Sequence, residues 1–511
     1  MKNHIPLCGR KVMITLVMVS VSLVGLGCAV LTGSSSEPTE SYLPTTQPIE
    51  SPTTQTVAPT NEPIPIEPDP TQKEDPTPER PLGLGPWLLI EAEDGMWAVN
   101  ADGSGLLQLT SDLPVYSQDL GKSVASKGGH VAWVTSSDPS RMANLTLKLL
   151  SLHTGNIETI TPLTSAETEP GPSDGPGDPA FDVARAISEL HNLAWSPDGS
   201  QLAFMGAMQG SSSDLYLFSL ATGEIVQLTD GPSQGIRPMW SPDGAYIVHA
   251  GVGSLGTGAG YSMQGVWAAK SDNSDVITIY PIPEDSGDEK FLGWVSPSQF
   301  LVYTWNAVCG TKNLRTYDLL TGKTEVLWEN FFSSVSFSPE TGAVLLSVDE
   351  WTVDCNPDGN EAMFLFQPGD RTPLQVLDAG TTWFDWYPSA DVFLVKSDAK
   401  MFAVWPEGEV RRLVDAPGAS LPSVSPDGRM WAFPESTQAG SPGLWLGAFG
   451  DETDKIFNES ARHATWSPEG EGLFFFGDAG LYFAPEPGFE PVLIGSGLQV
   501  TQTDPTTWVW P

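Results

Sequence analysis

The sequence predicts an all-β protein built as a single β-propeller of four-stranded blades, with nine blades counted and eight the alternative. Three observations lead there. The pentapeptide Trp-Ser-Pro-Asp-Gly stands at residues 195–199 and again at 240–244, with a near copy, Trp466-Ser467-Pro468-Glu469-Gly470, toward the C-terminus. Pro197, Pro242, Pro297, Pro339, Pro426 and Pro468 each follow a serine, Tyr387-Pro388 is a variant, and the spacings run from 38 to 55 residues. That is the period of a four-stranded blade. Glycine (51), proline (45) and tryptophan (18) are also plentiful, which suits short strands joined by tight turns.

The first 28 residues read as an export segment. Lys2, Arg10 and Lys11 precede an apolar run from Val12 to Leu26. Gly25-Leu26-Gly27-Cys28 resembles a bacterial lipoprotein signal, which implies that Cys28 becomes the lipidated first residue of the mature chain. Gly25 departs from that pattern, which prefers a branched aliphatic residue there. An uncleaved transmembrane anchor is the alternative, because Val12 to Leu31 is free of charge and long enough to span a bilayer. Both readings place the remainder outside the cytoplasmic membrane and tethered to it. Residues 29–86 follow as a linker, with thirteen prolines between Pro38 and Pro86 interleaved with Thr, Ser and Glu. Such a stretch cannot bury enough apolar surface to offset its ordering entropy and is expected to be disordered and extended.

From Trp87 to the C-terminus at Pro511 the texture is uniform. One unit shows it: Ala194-Trp195-Ser196-Pro197-Asp198-Gly199, then Gln201 to Phe204, Asp214 to Phe218 and Ile225 to Thr229. Asp-Gly is a hairpin turn signal, and proline belongs at a strand end because it cannot donate to a ladder. Ser126-Lys127-Gly128-Gly129 lacks the proline but precedes a matching strand, His130 to Trp133. Residues 88–110 supply three strands and lack a first one, whereas Thr506 to Trp510 is a strand with no continuation. The C-terminal strand is therefore expected to pair with the N-terminal blade and close the ring. The repeats, together with Trp97-Ala98-Val99-Asn100-Ala101-Asp102-Gly103, resemble the TolB-type β-propeller repeat over about residues 87–511. That resemblance implies an extracytoplasmic, protein-binding scaffold. TolB carries a further domain before its propeller, where this chain has the linker.

The formal net charge is −39, most of it beyond residue 85. It repels phosphate backbones, so nucleic acid is a poor partner. Motif tryptophans Trp195, Trp240, Trp294, Trp386 and Trp466 repeat with the blades and read as inter-sheet packing. Trp305, Trp351 and Trp383 lie near strand ends or loops, where exposed rings could hold a sugar or peptide. Cys309 and Cys355 fall in corresponding loops of adjacent units and are expected to form a disulfide. Asp354, Asn356 and Asp358 open like a calcium loop, but Leu365 stands where its bidentate acid belongs, so an acidic turn is the first reading. The six histidines (His4, His130, His153, His191, His249 and His463) show no paired metal spacing and read as surface or packing residues. The 163–190 insertion between units combines a glycine–proline stretch with a short helix from Pro179 to Leu190.

A protease would need a hydrolase domain of a couple of hundred residues, and the blades use up the chain. The expected function is a monomeric, non-catalytic binding scaffold for an envelope protein, peptide or glycan, with no cofactor beyond a candidate calcium. The alternatives are a glycan-active hydrolase or lyase using acidic side chains on one face, and a purely structural envelope component. Localised function is expected where the pattern breaks, at 163–190, 305–312 and 349–361.

Overall fold

The computed structural model describes residues 82–115, 120–188, 192–255, 261–281, 288–306, 310–349, 352, 355, 361–367, 370, 372–378, 383–397, 399–415, 422–435, 442–449, 453–500 and 505–511. They fall within one compact unit, Pro76–Pro511.

The described residues form nine antiparallel sheets, eight of four strands and one of three. In chain order they make blades 1 to 9 of a propeller. Blade 1 takes Trp87–Ala92, Gly95–Asn100 and Leu107–Thr110 from the start of the ring and Thr506–Val509 from its end. Trp87 pairs with Val509 and Ile90 with Thr506, so the C-terminal strand closes the ring as expected. Blade 2 (His130–Thr135, Thr146–Ser151, Ile157–Pro162) is the three-stranded sheet. Its inner strand is reduced to a single bridge, Val124 to Val131, behind the short helix α1 (Leu120–Ser123). A full inner strand is expected here from the repeat; Gly128-Gly129 stands in place of the Pro-Asp-Gly turn, and the four-residue helix has no pattern long enough to read.

The ring is held by apolar contacts between blades. Nine buried clusters exist among the described residues, and each is shared by two neighbouring blades around the full circuit. Leu88 and Ile90 of blade 1, for example, meet Phe474, Phe476 and Phe483 of blade 9 (Ala461–Trp466, Gly472–Gly477, Gly480–Pro485, Val492–Ser496). Burial on both faces explains the fully apolar middle strands, such as Gly472–Gly477, in which every residue is buried. Outer strands, such as Val410–Asp415, expose alternate or consecutive residues.

The repeated motif is structural in every part. Trp240 ends the inner strand of blade 4 (Gln234–Trp240, Tyr246–Leu255, Tyr261–Lys270, Val276–Pro281) and lies in the cluster shared with blade 3 (Leu193–Trp195, Gln201–Gly206, Asp214–Ser219, Ile225–Gln227). Its indole Nε1 donates to Ala194 O on the inner strand of blade 3 at 2.8 Å. Trp195 does the same toward Ser123 O (3.0 Å), Trp466 toward Ser423 O (3.2 Å) and Trp508 toward Trp466 O (2.8 Å). Trp294 and Trp386 likewise pack against the cluster shared with the preceding blade. The motif serine and aspartate lock the turn. Asp198 Oδ1 accepts from Ser196 Oγ (2.6 Å) and from Ser200 N (3.1 Å), while Ser196 Oγ accepts from Gln201 N (3.0 Å). Gly199 adopts φ +73°, and a Cβ there would also meet Lys127 O at 2.9 Å. These hydrogen bonds, Ser196 first, hold the Asp198 carboxyl below the usual carboxylate range, and Ser425 does the same for Asp427. The turns therefore contribute stability above the unfolded carboxylate pKa that is lost as pH falls through the folded one.

The 163–190 insertion is more than a surface loop. Its helix α2 (Pro179–Ser188) starts with proline at the predicted position and buries Phe181, Val183, Ala184 and Ile187 in the cluster between blades 2 and 3. Asn192 ties it to the ring: Nδ2 donates to Ala186 O, and Oδ1 accepts from Arg237 N of blade 4 at 3.0 Å.

Truncation of Trp240 to alanine should destabilise the ring by about 3–5 kcal/mol, through the lost packing and the cavity left behind. Trp240→Phe, which keeps most of the ring but leaves Ala194 O without its donor, should cost only about 1–2 kcal/mol. Urea titrations of the two variants check this; no loss in Trp240→Phe would show that the indole bond contributes nothing beyond packing.

Candidate functional site

A cavity of about 280 Å³ opens between blades 3 and 4. It lies on the face that carries the connection between these blades, residues 228–233, and the loop leading into Asp214. α2 occupies the equivalent connection between blades 2 and 3 on the same face.

Local backbone requirements build its walls. Ser213 and Gly235 bond to each other twice: Gly235 N donates to Ser213 O and Ser213 Oγ donates to Gly235 O, both at 2.7 Å. A Cβ on Gly235 would meet that Ser213 oxygen at 3.0 Å, so the close approach of the two blades depends on the glycine. Gly251 leaves room for Trp267, whose ring a Cβ would meet at 2.3 Å. His249 and Trp267 are directly opposed on the second and third strands of blade 4, and their rings stack at 6.0 Å and 24°.

Asp214, the first residue of the third strand of blade 3, is 2% exposed. Its Oδ1 accepts from Gly231 N (3.1 Å) and Thr229 Oγ1 (3.2 Å). Ser212 Oγ donates to Gly231 O (2.6 Å) and lies 3.2 Å from Asp214 Oδ2. Burial outweighs these bonds and pushes the Asp214 carboxyl up to about 6. His249 is 6% exposed, its Nδ1 has no hydrogen-bond partner, and burial pushes its imidazole down to about 4. At neutral pH the cavity therefore holds a carboxylate in a poorly solvated place beside a neutral imidazole.

Of the residues singled out in the sequence, Trp383 sits half-buried at the inner strand of blade 7 (Trp383–Tyr387, Val392–Ser397, Lys400–Val404, Val410–Asp415), packed against the cluster shared with blade 8 and edge-on to Tyr387. Trp305 lies on the strand Gln299–Asn306 of blade 5, paired with Thr311. Cys355 is disulfide-bonded. Cys28, Cys309, Trp351, Asp354, Asn356 and Asp358 lie outside the described residues. Among the described residues, no three His, Cys, Asp or Glu side chains come together as a metal set, and no helix is long and apolar enough to cross a membrane.

Asp214, His249 and Trp267 were not singled out as a site, because they are 35 and 18 residues apart in sequence and meet only across a blade interface. A signal was present at this place. Gly231-Pro232-Ser233-Gln234-Gly235 has the Gly-x-Ser-x-Gly spelling of a nucleophile elbow, as does Gly171-Pro172-Ser173-Asp174-Gly175. Neither has the strand–turn–helix setting of an elbow. The first runs into a strand, and Ser233 Oγ donates to Gln264 Oε1 at 2.7 Å. The second is a turn closed by Gly171 N on Asp174 Oδ2 at 2.7 Å.

No protein-family model matches the chain. A curated relative, the uncharacterized peptidase YuxL of Bacillus subtilis (strain 168), is 46% identical over 54 residues, which is 11% of this chain. The chain spans 8% of that relative's length. A crystal structure of a eukaryotic initiation factor aligns over 83% of this chain and 99% of its own, with 14% identity and a TM-score of 0.52. TolB from Acinetobacter baumannii aligns over 83% of each chain, with 15% identity and a TM-score of 0.30. The likeness to the initiation factor is one of fold alone.

Asp214 makes a signed prediction about pH. Its folded pKa is raised, so its contribution favours the fold at low pH and is lost as pH rises from the unfolded carboxylate value through about 6. Asp214→Asn keeps the shape and cannot ionise. It should raise stability at pH 8 by about 1–3 kcal/mol relative to wild type and give little change at pH 4. Thermal melts of both proteins across that range check the sign.

Proposed function

We propose that this chain is a non-catalytic binding scaffold, tethered outside the cytoplasmic membrane by its N-terminal segment, that takes a protein, peptide or glycan on the ring face holding the cavity between blades 3 and 4. The observation that carries this reading is the contrast between motif and cavity. The repeated tryptophans, serines and aspartates are consumed by packing and turns, while Asp214 is buried where its charge costs stability and His249 where its Nδ1 lacks a hydrogen bond. Groups held in a costly state beside a cavity are where binding energy can be recovered. A competing enzymatic reading draws on one observation, since a carboxyl group titrating near 6 suits a general acid.

Peptide and glycan arrays probed with the full-length protein should return a ligand class whose signal falls at least about tenfold in Trp267→Ala, the equivalent of roughly 1.4 kcal/mol. Turnover of a bound polysaccharide or peptide, abolished by Asp214→Asn, would replace the scaffold with the enzyme. For the tether, the mass of the membrane-extracted mature chain should correspond to a lipidated protein starting at Cys28; an intact N-terminus would assign an uncleaved anchor instead.

A further inference from the structure

Resting on the reading of this cavity as the binding site, we infer that it takes an organic cation, an ammonium or guanidinium head, with its charge against Asp214 and Asp230 and its carbon stem along Trp267. The argument is a count of hydrogen-bonding capacity. The hydroxyl donors in the wall, and the backbone N–H of Gly231, are already committed. Thr229 Oγ1 donates to Asp214 Oδ1, Ser213 Oγ to Gly235 O, Ser233 Oγ to Gln264 Oε1 and Gly231 N to Asp214 Oδ1. What remains on offer is acceptor capacity: the carboxylates of Asp214 and Asp230, and the imidazole of His249, whose buried Nδ1 has no partner. A neutral imidazole protonated at Nε2 presents Nδ1 as an acceptor. No lysine or arginine lines the cavity. A ligand that completes this set must bring donors and positive charge, which an ammonium or guanidinium does.

Three further features agree. The Trp267 indole offers an aromatic surface to a cation or its stem. The volume of about 280 Å³ admits one head group or one long side chain rather than a polymer. The net charge of −39 raises the local concentration of cations around the ring. The same chemistry is carried by a free amine and by a lysine or arginine of a peptide.

Binding and ionisation of Asp214 are then linked. The titratable groups around the cavity are Asp214 and Tyr216 on blade 3, Asp230 on the connection and His249 on blade 4. Of the groups that burial shifts, Asp214 alone changes charge near pH 6, since His249 is neutral above about 4 and burial pushes the Tyr216 phenol up, away from neutrality. Affinity for the cation should therefore rise as pH passes upward through 6.

Calorimetry on the full-length protein tests this with n-butylammonium and n-butylguanidinium as free cations, and with blocked Ala-Lys-Ala, Ala-Arg-Ala and Ala-norleucine-Ala as peptides. The cationic probes should bind at least about tenfold more tightly than the norleucine peptide. That preference should shrink at pH 5 and in Asp214→Asn, whose fold is checked by its melting curve, and should weaken in Asp230→Asn, an exposed change that leaves the fold intact. Binding of the peptides but not the free amines assigns a partner side chain; binding of both assigns the head group alone. Equal affinity for norleucine and lysine peptides, or no binding of any cation, overturns the inference. A ligand from the arrays that carries no cation yet is lost in Trp267→Ala overturns the class while keeping the site. An array ligand unaffected by both Trp267→Ala and Asp214→Asn overturns the site itself.

Discussion

Burial of each sheet on both faces is the constraint on which the rest of this protein depends. A four-stranded sheet with apolar residues on two sides cannot satisfy them alone, so every blade needs a neighbour on each side. A linear stack would leave two open end faces; the ring leaves none. The nine inter-blade clusters are the physical record of that solution. The C-terminal strand completes it, because Trp508 both pairs with Leu88 in blade 1 and donates its indole proton to Trp466 in blade 9.

The same constraint determines where a site can form. Residues repeated in blade after blade are engaged in packing and turns, so chemistry must come from positions where one interface differs from the others. Between blades 3 and 4 the difference comes from missing side chains. Gly235 lets an inner strand approach Ser213, and Gly251 lets Trp267 swing across its own sheet. The space so formed is lined by a carboxyl and an imidazole, both shifted by burial toward their neutral forms. A chain selected for stability alone gains nothing from that arrangement, which is why it marks a candidate site.

The blade count and the start of α2 were legible because each is a local pattern, and the ring closure because the two ends carry complementary parts of one blade. Trp-Ser-Pro-Asp-Gly encodes a strand end and a turn, and Asp178-Pro179 encodes a helix start. The reduced inner strand of blade 2 was not legible, because a single bridge at Val124 leaves no periodic run to read. The role of α2 was half legible: its sequence announces a helix, but only the cluster between blades 2 and 3 shows that Phe181 and Ile187 serve as core. The two Gly-x-Ser-x-Gly strings are legible in the sequence as spelling alone. Their spelling fits an elbow, while their surroundings make one a strand entry and the other a closed turn.

Taken alone, the amino-acid sequence determined the repeat, the strand and turn chemistry and the acidity, since these depend on composition and on residues close together in the chain. Tertiary structure alone decided which side chains share a cavity. Asp214, His249 and Trp267 come from three strands of two blades, and the shifted ionisation of Asp214 and His249 arises from burial, which depends on everything packed around them. The turn aspartates, equally acidic in sequence, go the other way, because Ser196 and Ser425 hydrogen-bond them at the surface. Identical carboxyl groups thus take opposite roles, and the difference lies in solvent and neighbours rather than in residue type.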